Sequence, residues 1–176
     1  TAPVTLSLTL MSEDGTTLRR PYTVLPGEQR LNLNLLLPDL ALAADVHAAR
    51  PIAVARITFF NDFQAAEATL GAVRPARHWY LPEGSTAAPF ETLVLVANPN
   101  DVPTALVLAW MGAAGELGRS ELSMPAHSRL TIPLNGLVPG LSAVSTWIEA
   151  DWPVVVERTM YLHDRQGGHA SLGIAR

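Results

Sequence analysis

Residues 45–74 read DVHAARPIAVARITFFNDFQAAEATLGAVR, and residues 147–176 read WIEADWPVVVERTMYLHDRQGGHASLGIAR. Laid together without gaps, they agree at Ala48/Ala150, Pro51/Pro153, Val54/Val156, Arg56/Arg158, Asp62/Asp164 and Gln64/Gln166. They agree again at Ala68/Ala170, Leu70/Leu172, Gly71/Gly173 and Arg74/Arg176. Further pairs are similar, among them Ile52/Val154, Phe59/Tyr161 and Thr69/Ser171. The match extends toward the start of the chain. Pro3, Leu6, Leu8, Met11, Gly15 and Arg19 precede Pro103, Leu106, Leu108, Met111, Gly115 and Arg119 by a constant offset. Pro26, Arg30, Leu31 and Leu35 precede Pro125, Arg129, Leu130 and Leu134 by one residue less. Self-similarity at a fixed period marks a repeated structural unit. The chain is therefore expected to hold two copies of one unit, 1–74 and 103–176, around a segment, 75–102, that occurs once.

The repeated segments carry the period of strands. Thr5-Leu6-Ser7-Leu8-Thr9-Leu10 alternates polar and apolar, the pattern of a half-buried strand. Ser12 to Thr16 is a turn signal, and Thr17–Leu25 returns as its hairpin partner. Arg30–Leu35 alternates again, Val46–Ala49 and Ile52–Phe60 follow across Pro51, and Ala68–Val73 closes the unit. Leu35–Ala44 is read as room for one short helical turn. The second copy predicts strands over Ala105–Met111, Leu117–Met124, Ser128–Leu134, Val144–Ala150, Val154–Leu162 and Ala170–Ala175. The unique segment adds His78–Leu81 and Phe90–Ala97, stopped by Pro82-Glu83-Gly84-Ser85 and Asn98-Pro99-Asn100-Asp101. Short strands at this spacing with Pro, Gly and Asn turns predict an all-β fold. The expected arrangement is two tandem related Ig-like β-sandwich units.

Composition narrows the chemistry. The 176 residues are 48% hydrophobic, enough for a core, and no apolar run approaches the ~18–20 residues of a membrane helix. Cysteine is absent, which removes disulfides, thiolate metal sites and a cysteine nucleophile. All 12 basic residues are arginine, so a lysine nucleophile, a Schiff base and a P-loop lysine are excluded. The net charge is −4 with no basic block, which argues against nucleic acid as a partner. The sequence begins with Thr1 and no signal-like segment, as expected of a processed product or a cut piece.

His78-Trp79-Tyr80-Leu81-Pro82-Glu83-Gly84-Ser85-Thr86, Phe90-Glu91-Thr92-Leu93-Val94-Leu95 and Asn98-Pro99-Asn100 resemble a repeat domain of large secreted bacterial surface proteins. Pro125-Ala126-His127-Ser128-Arg129 and Pro153-Val154-Val155-Val156-Glu157-Arg158-Thr159-Met160-Tyr161 fit the same pattern. The resemblance spans 78–176, and more weakly 1–74, where Ala55 stands in place of the Glu of the Glu-Arg pair. It implies an extracellular β-sandwich module and no reaction. In that family the Trp-Tyr segment opens each unit. By this reading 78–176 is a complete repeat, 75–77 a linker, and 1–74 a repeat lacking its first two strands. Such a unit has open edges and an uncovered apolar face.

The residues that invite chemistry have plainer readings. Glu157 and Arg158 are neighbours in a strand, so their side chains point to opposite faces and do not pair with each other. His163, Asp164 and His169 offer metal-ligand types, but Gln166-Gly167-Gly168 reads as a turn. Asn98, Asn100 and Asp101 offer oxygens to calcium, but an Asn-Pro-Asn-Asp turn accounts for them. There is no Gly-x-Ser-x-Gly elbow and no phosphate loop. Of the four tryptophans, Trp110 and Trp147 are expected in the core. Trp79 and Tyr80 adjoin in a strand, so one of the two is expected to face out, and Trp152, before Pro153 at a strand junction, is the best candidate for exposure.

These readings converge on a non-enzymatic structural protein without cofactor, secreted or held at the cell surface. It would be a subunit of a filament or pilus-like polymer, or part of a tandem array. Its expected partner is a further copy of itself or a neighbouring repeat. Thr5, Leu6, Leu8 and Leu10 are the candidate edge strand for that contact, with Trp79, Tyr80 and Trp152 as candidate contact aromatics. The alternative is a carbohydrate-binding or adhesive module that recognises surface glycans.

Overall fold

In the computed structural model, which describes residues 2–176, the alternating segment at the front forms β1 (Val4–Ser12) and turns at Gly15 into β2 (Thr17–Val24). Gly15 has φ +87°, and Gly115, its match in the second half, has φ +113°, so both hairpin turns need the left-handed conformation that glycine adopts freely. β3 (Leu42–Ala48) pairs with the other side of β1, giving the order β2-β1-β3. β4 (Ala55–Phe60) and β5 (Ala65–Leu70) form a separate antiparallel hairpin. Its turn holds Asn61, Asp62 and Phe63 at positive φ, as the matching turn later in the chain holds His163, Asp164 and Arg165.

The remaining strands are β6 (Ala76–Leu81), β7 (Phe90–Asn98), β8 (Thr104–Gly112), β9 (Gly115–Met124), β10 (Ser128–Pro133), β11 (Ser145–Leu162), β12 (Gly167–Leu172) and β13 (Ile174–Ala175). One short helix, α1 (Leu134–Leu137), follows β10. The molecule is an all-β sandwich built of antiparallel sheets. One sheet runs β13-β6-β11-β8-β9, and the other runs β10-β7-β11-β12. β11 belongs to both. It pairs with β8 up to Ala150 and with β6 up to Glu149 and again at Val154, then with β7 from Val155 and β12 from Glu157 onward. Pro153, expected to split two strands, sits at the register shift where one ladder ends, a place where a missing N–H costs nothing.

Between these two sheets lies the main core, with Trp79, Leu106, Leu108 and Ile148 from one side and Val94, Val96, Ile132 and Val156 from the other. Tyr80, Trp147 and Glu149 alternate with the buried positions and point outward.

The first half repeats part of this order. β2-β1-β3 follows β9-β8-β11, and β4-β5 follows β11-β12. Among the described residues no strand lies beside β3 where β6 lies beside β11, and none beside β4 where β7 does. This explains a failed expectation. Arg30–Leu35 was expected to be a strand, as its match β10 is, but β10 pairs only with β7, and the first half has no such partner. The segment instead makes a 3₁₀ turn over Leu33–Leu35, with the Asn32 side chain accepting from Asn34 N. The helical turn expected over Leu35–Ala44 is displaced, because Leu42–Ala44 already pair with β1. The expected linker 75–77 also shortens, since β6 starts at Ala76 and pairs with Val154.

Candidate assembly interface

β1 is not an edge. Thr5, Leu6, Leu8 and Leu10 lie in the middle strand of β2-β1-β3, with both backbone edges taken. Thr5 is exposed, Leu6 half-buried, and Leu8 and Leu10 fully buried. The alternation signalled a strand correctly, but alternation carries no information on how many neighbours a strand has.

Trp79 is not a contact residue either. It is buried in the core, and its indole N–H donates to Val154 O (2.9 Å) and Ala76 O (3.0 Å). Trp110 is buried, as expected. Trp147, expected in the core, is half-buried on the outer face, opposite Tyr80 in the β6–β11 ladder. Trp152 is 47% exposed and isolated at the sheet crossing.

The contact that organises the molecule lies between its two halves. The β4–β5 hairpin lays one face on the outer face of β11 and β12. Arg56 of β4 ion-pairs with Glu157 of β11 and reaches Glu67 of β5 at 3.6 Å. Thr159 Oγ1 donates to Glu67 Oε1 (3.4 Å). Phe60 meets Tyr161 edge-on, with ring centroids 5.1 Å apart. Gly168 gives Phe60 room: a Cβ there would lie 3.2 Å from Phe60 Cζ, 2.9 Å from Met160 O and 2.8 Å from Tyr161 Cδ1. Nearby, β1 touches β10. Past the end of β1, Glu13 accepts from Thr131 N (2.7 Å) and Thr131 Oγ1 (3.2 Å), and lies 4.0 Å from Arg129.

This seam is polar and largely closed to water. Burial pushes the Glu67 carboxyl and the Tyr161 hydroxyl above their ordinary values, and holds Arg129 below its own. Arg56 Nε, Glu67 Oε2 and Arg129 Nη1 are buried without a hydrogen-bond partner. The inward face of the β4–β5 hairpin is thus covered from within the same chain.

The residues that invited chemistry serve turns and packing. Arg158 reaches the Glu83 backbone carbonyl and lies 3.4 Å from His169 Nδ1. Asn98 donates to Val102 O and Pro125 O and accepts from Asn100. Asn100 also donates to Pro153 O. A shallow cleft of about 350 Å³ beside Phe90, Asn135 and Tyr161 is rimmed by groups already engaged, Arg165 with Glu91 and Asn135 with Phe90 O. Among the described residues no helix is long and apolar enough to cross a membrane.

Neither a protein-family model nor a curated protein sequence matches the chain. Among solved structures, Thermotoga maritima 1070 is similar, with TM-score 0.52 and 16% identity over 58% of this chain and 96% of that one. At this identity the likeness concerns the fold alone. The Anabaena sensory rhodopsin transducer gives TM-score 0.44 and 17% identity over 50% of this chain and 99% of that one.

Proposed function

We propose that this chain is a non-enzymatic structural module of an extracellular bacterial assembly, a tandem array or filament of β-sandwich units stacked sheet on sheet. One observation carries the reading. The first unit, which lacks the counterparts of β6 and β7, is completed by stacking its hairpin on the next unit, through Arg56–Glu157 and Phe60–Tyr161. A unit that depends on its neighbour in this way suits a protein whose work is to join units. Joining proceeds by sheet faces and not by the backbone edge of β1. Negative-stain electron microscopy of the native surface material tests it. Filaments or a regular array are expected, and small monodisperse particles at high concentration overturn it.

The adhesive alternative draws on Tyr80 and Trp147, cross-strand partners on the outer face of β6 and β11. A sugar stacked there shifts tryptophan fluorescence in a polysaccharide titration, and Trp147→Ala abolishes the shift.

A further inference from the structure

The hairpin β4–β5 has two faces, and only one is used. Arg56, Phe60 and Glu67 face β11 and β12. The other face consists of Ala55, Ile57 and Phe59 opposite Leu70, Ala68 and Ala66. All six are exposed, Ile57 at 52%, Phe59 at 55% and Leu70 at 68%. Phe63 at the hairpin turn, 81% exposed, extends the patch, its ring 5.5 Å from that of Phe59. The face carries no charged or hydrogen-bonding side chain. Isolated exposed apolar residues are ordinary, but a contiguous apolar sheet face is a contact surface.

The second half of the chain shows what this face does. By the sequence repeat, Ala55, Ile57 and Phe59 match Glu157, Thr159 and Tyr161, and their partners match Leu172, Ala170 and Gly168 in the same register. That matching face is the one on which the β4–β5 hairpin sits. The same side of the same hairpin is therefore a stacking surface inside this molecule, and at β4–β5 it is bare.

Its chemistry selects the occupant. Another hairpin of the β4–β5 kind would bring an Arg56 and a Glu67, which need what Glu157 and Thr159 supply. Ala55 and Ile57 supply neither, and an unpaired charge buried there is costly. The polar face of β4–β5 is moreover already occupied within each chain. An uncharged apolar face does meet its own copy without like-charge repulsion, and two-fold self-pairing is the commonest symmetry of soluble oligomers. A specific dimer needs about 800 Å² per partner with an apolar centre, and this face forms such a centre.

We infer that two copies of this chain pair through the outer face of β4–β5, Ile57, Phe59 and Leu70 of one against those of the other about a two-fold axis. The inference rests on the reading of the chain as an assembly module, and it joins two such stacks end to end, face against face.

Light scattering after size exclusion tests it on the 176-residue chain. The chain should run at twice its single-chain mass. Ile57→Asp and Phe59→Asp should each halve that mass with the β circular-dichroism spectrum unchanged, while Leu117→Asp, on β9, should leave the dimer intact. Because the chain has no cysteine, Gln64→Cys in the exposed hairpin turn, at the rim of the face, provides a unique spin-label site, expected to report a defined distance between chains. A single-chain mass for the unmodified protein, a dimer that survives Ile57→Asp, or labels at Gln64→Cys without an inter-chain distance overturns the inference. A dimer without arrays keeps the pairing and removes the array, and arrays built from single-chain-mass protein do the reverse.

Discussion

Arg56 on β4 and Glu157 on β11 form an ion pair that joins the two halves of the chain, beside the Phe60–Tyr161 ring contact and the Thr159–Glu67 hydrogen bond. Within its own half Arg56 also reaches Glu67 at 3.6 Å, and Ala55 stands where Glu157 would be repeated. Glu157 is nearly buried and Arg56 about one-third exposed, so the pair falls between the surface and interior cases. Glu157→Ala should cost about 1–3 kcal/mol in urea unfolding, and the cycle with Arg56→Ala should show coupling well above that of an exposed pair.

Glu67 gives the seam a pH dependence of defined sign. Its ordinary value is 4.5, and burial raises it in the folded chain, against the opposing pull of Arg56. Between the unfolded and the raised folded value the native state holds more protons, so stability falls as pH rises through that window. Asp14 and Glu116, held low by hydrogen bonds from Ser12 and from Arg119, act with the opposite sign. The difference between the unmodified chain and Glu67→Gln isolates the Glu67 contribution. Denaturant midpoints measured across mildly acidic pH should fall toward neutrality more steeply with Glu67 present than with glutamine in its place.

Gly168 is fixed by packing. Adding a methyl group there meets Tyr161 and the Met160 carbonyl below 3.0 Å, and Phe60 just beyond. The carbonyl cannot yield, so Gly168→Ala should destabilise by roughly 1–3 kcal/mol. Gly167→Ala, with open space around its position, is the matched control for the thermal melts.

The main core lies within residues 75–176, whereas among the described residues of 1–74 the buried apolar ones are Leu8, Leu10 and Met11. A fragment of residues 75–176 should therefore retain its β spectrum and a cooperative melt. Residues 1–74 alone should show neither, since so little apolar burial cannot offset chain entropy. Proton NMR dispersion of the two fragments checks this.

The strands and their hairpin partners were legible because alternation and glycine turns are local signals, as at Thr5–Leu10 and Gly15. The order of strands was not, since β1 reads the same whether it has one neighbour or two. Arg30–Leu35 shows the same limit from the other side: a good strand sequence without a partner becomes a turn. The seam left a trace in the repeat itself. Glu13, Glu67 and Glu157 are positions where the two copies differ, matched by Ala113, His169 and Ala55. A contact between units falls on different surfaces of each copy, so it erases the symmetry that reveals the fold. Trp147 was placed in the core because it falls within an alternating strand, but it neighbours the buried Ile148 and so takes the opposite, outer face.

β11 runs through both sheets without a loop, and Pro153 marks the crossing. Tension applied to one sheet thus reaches the other along a single stretch of main chain and does not depend on side-chain friction between layers. Extending the complete unit would require stripping both ladders from one continuous cable, which makes β11 the mechanical spine of the module.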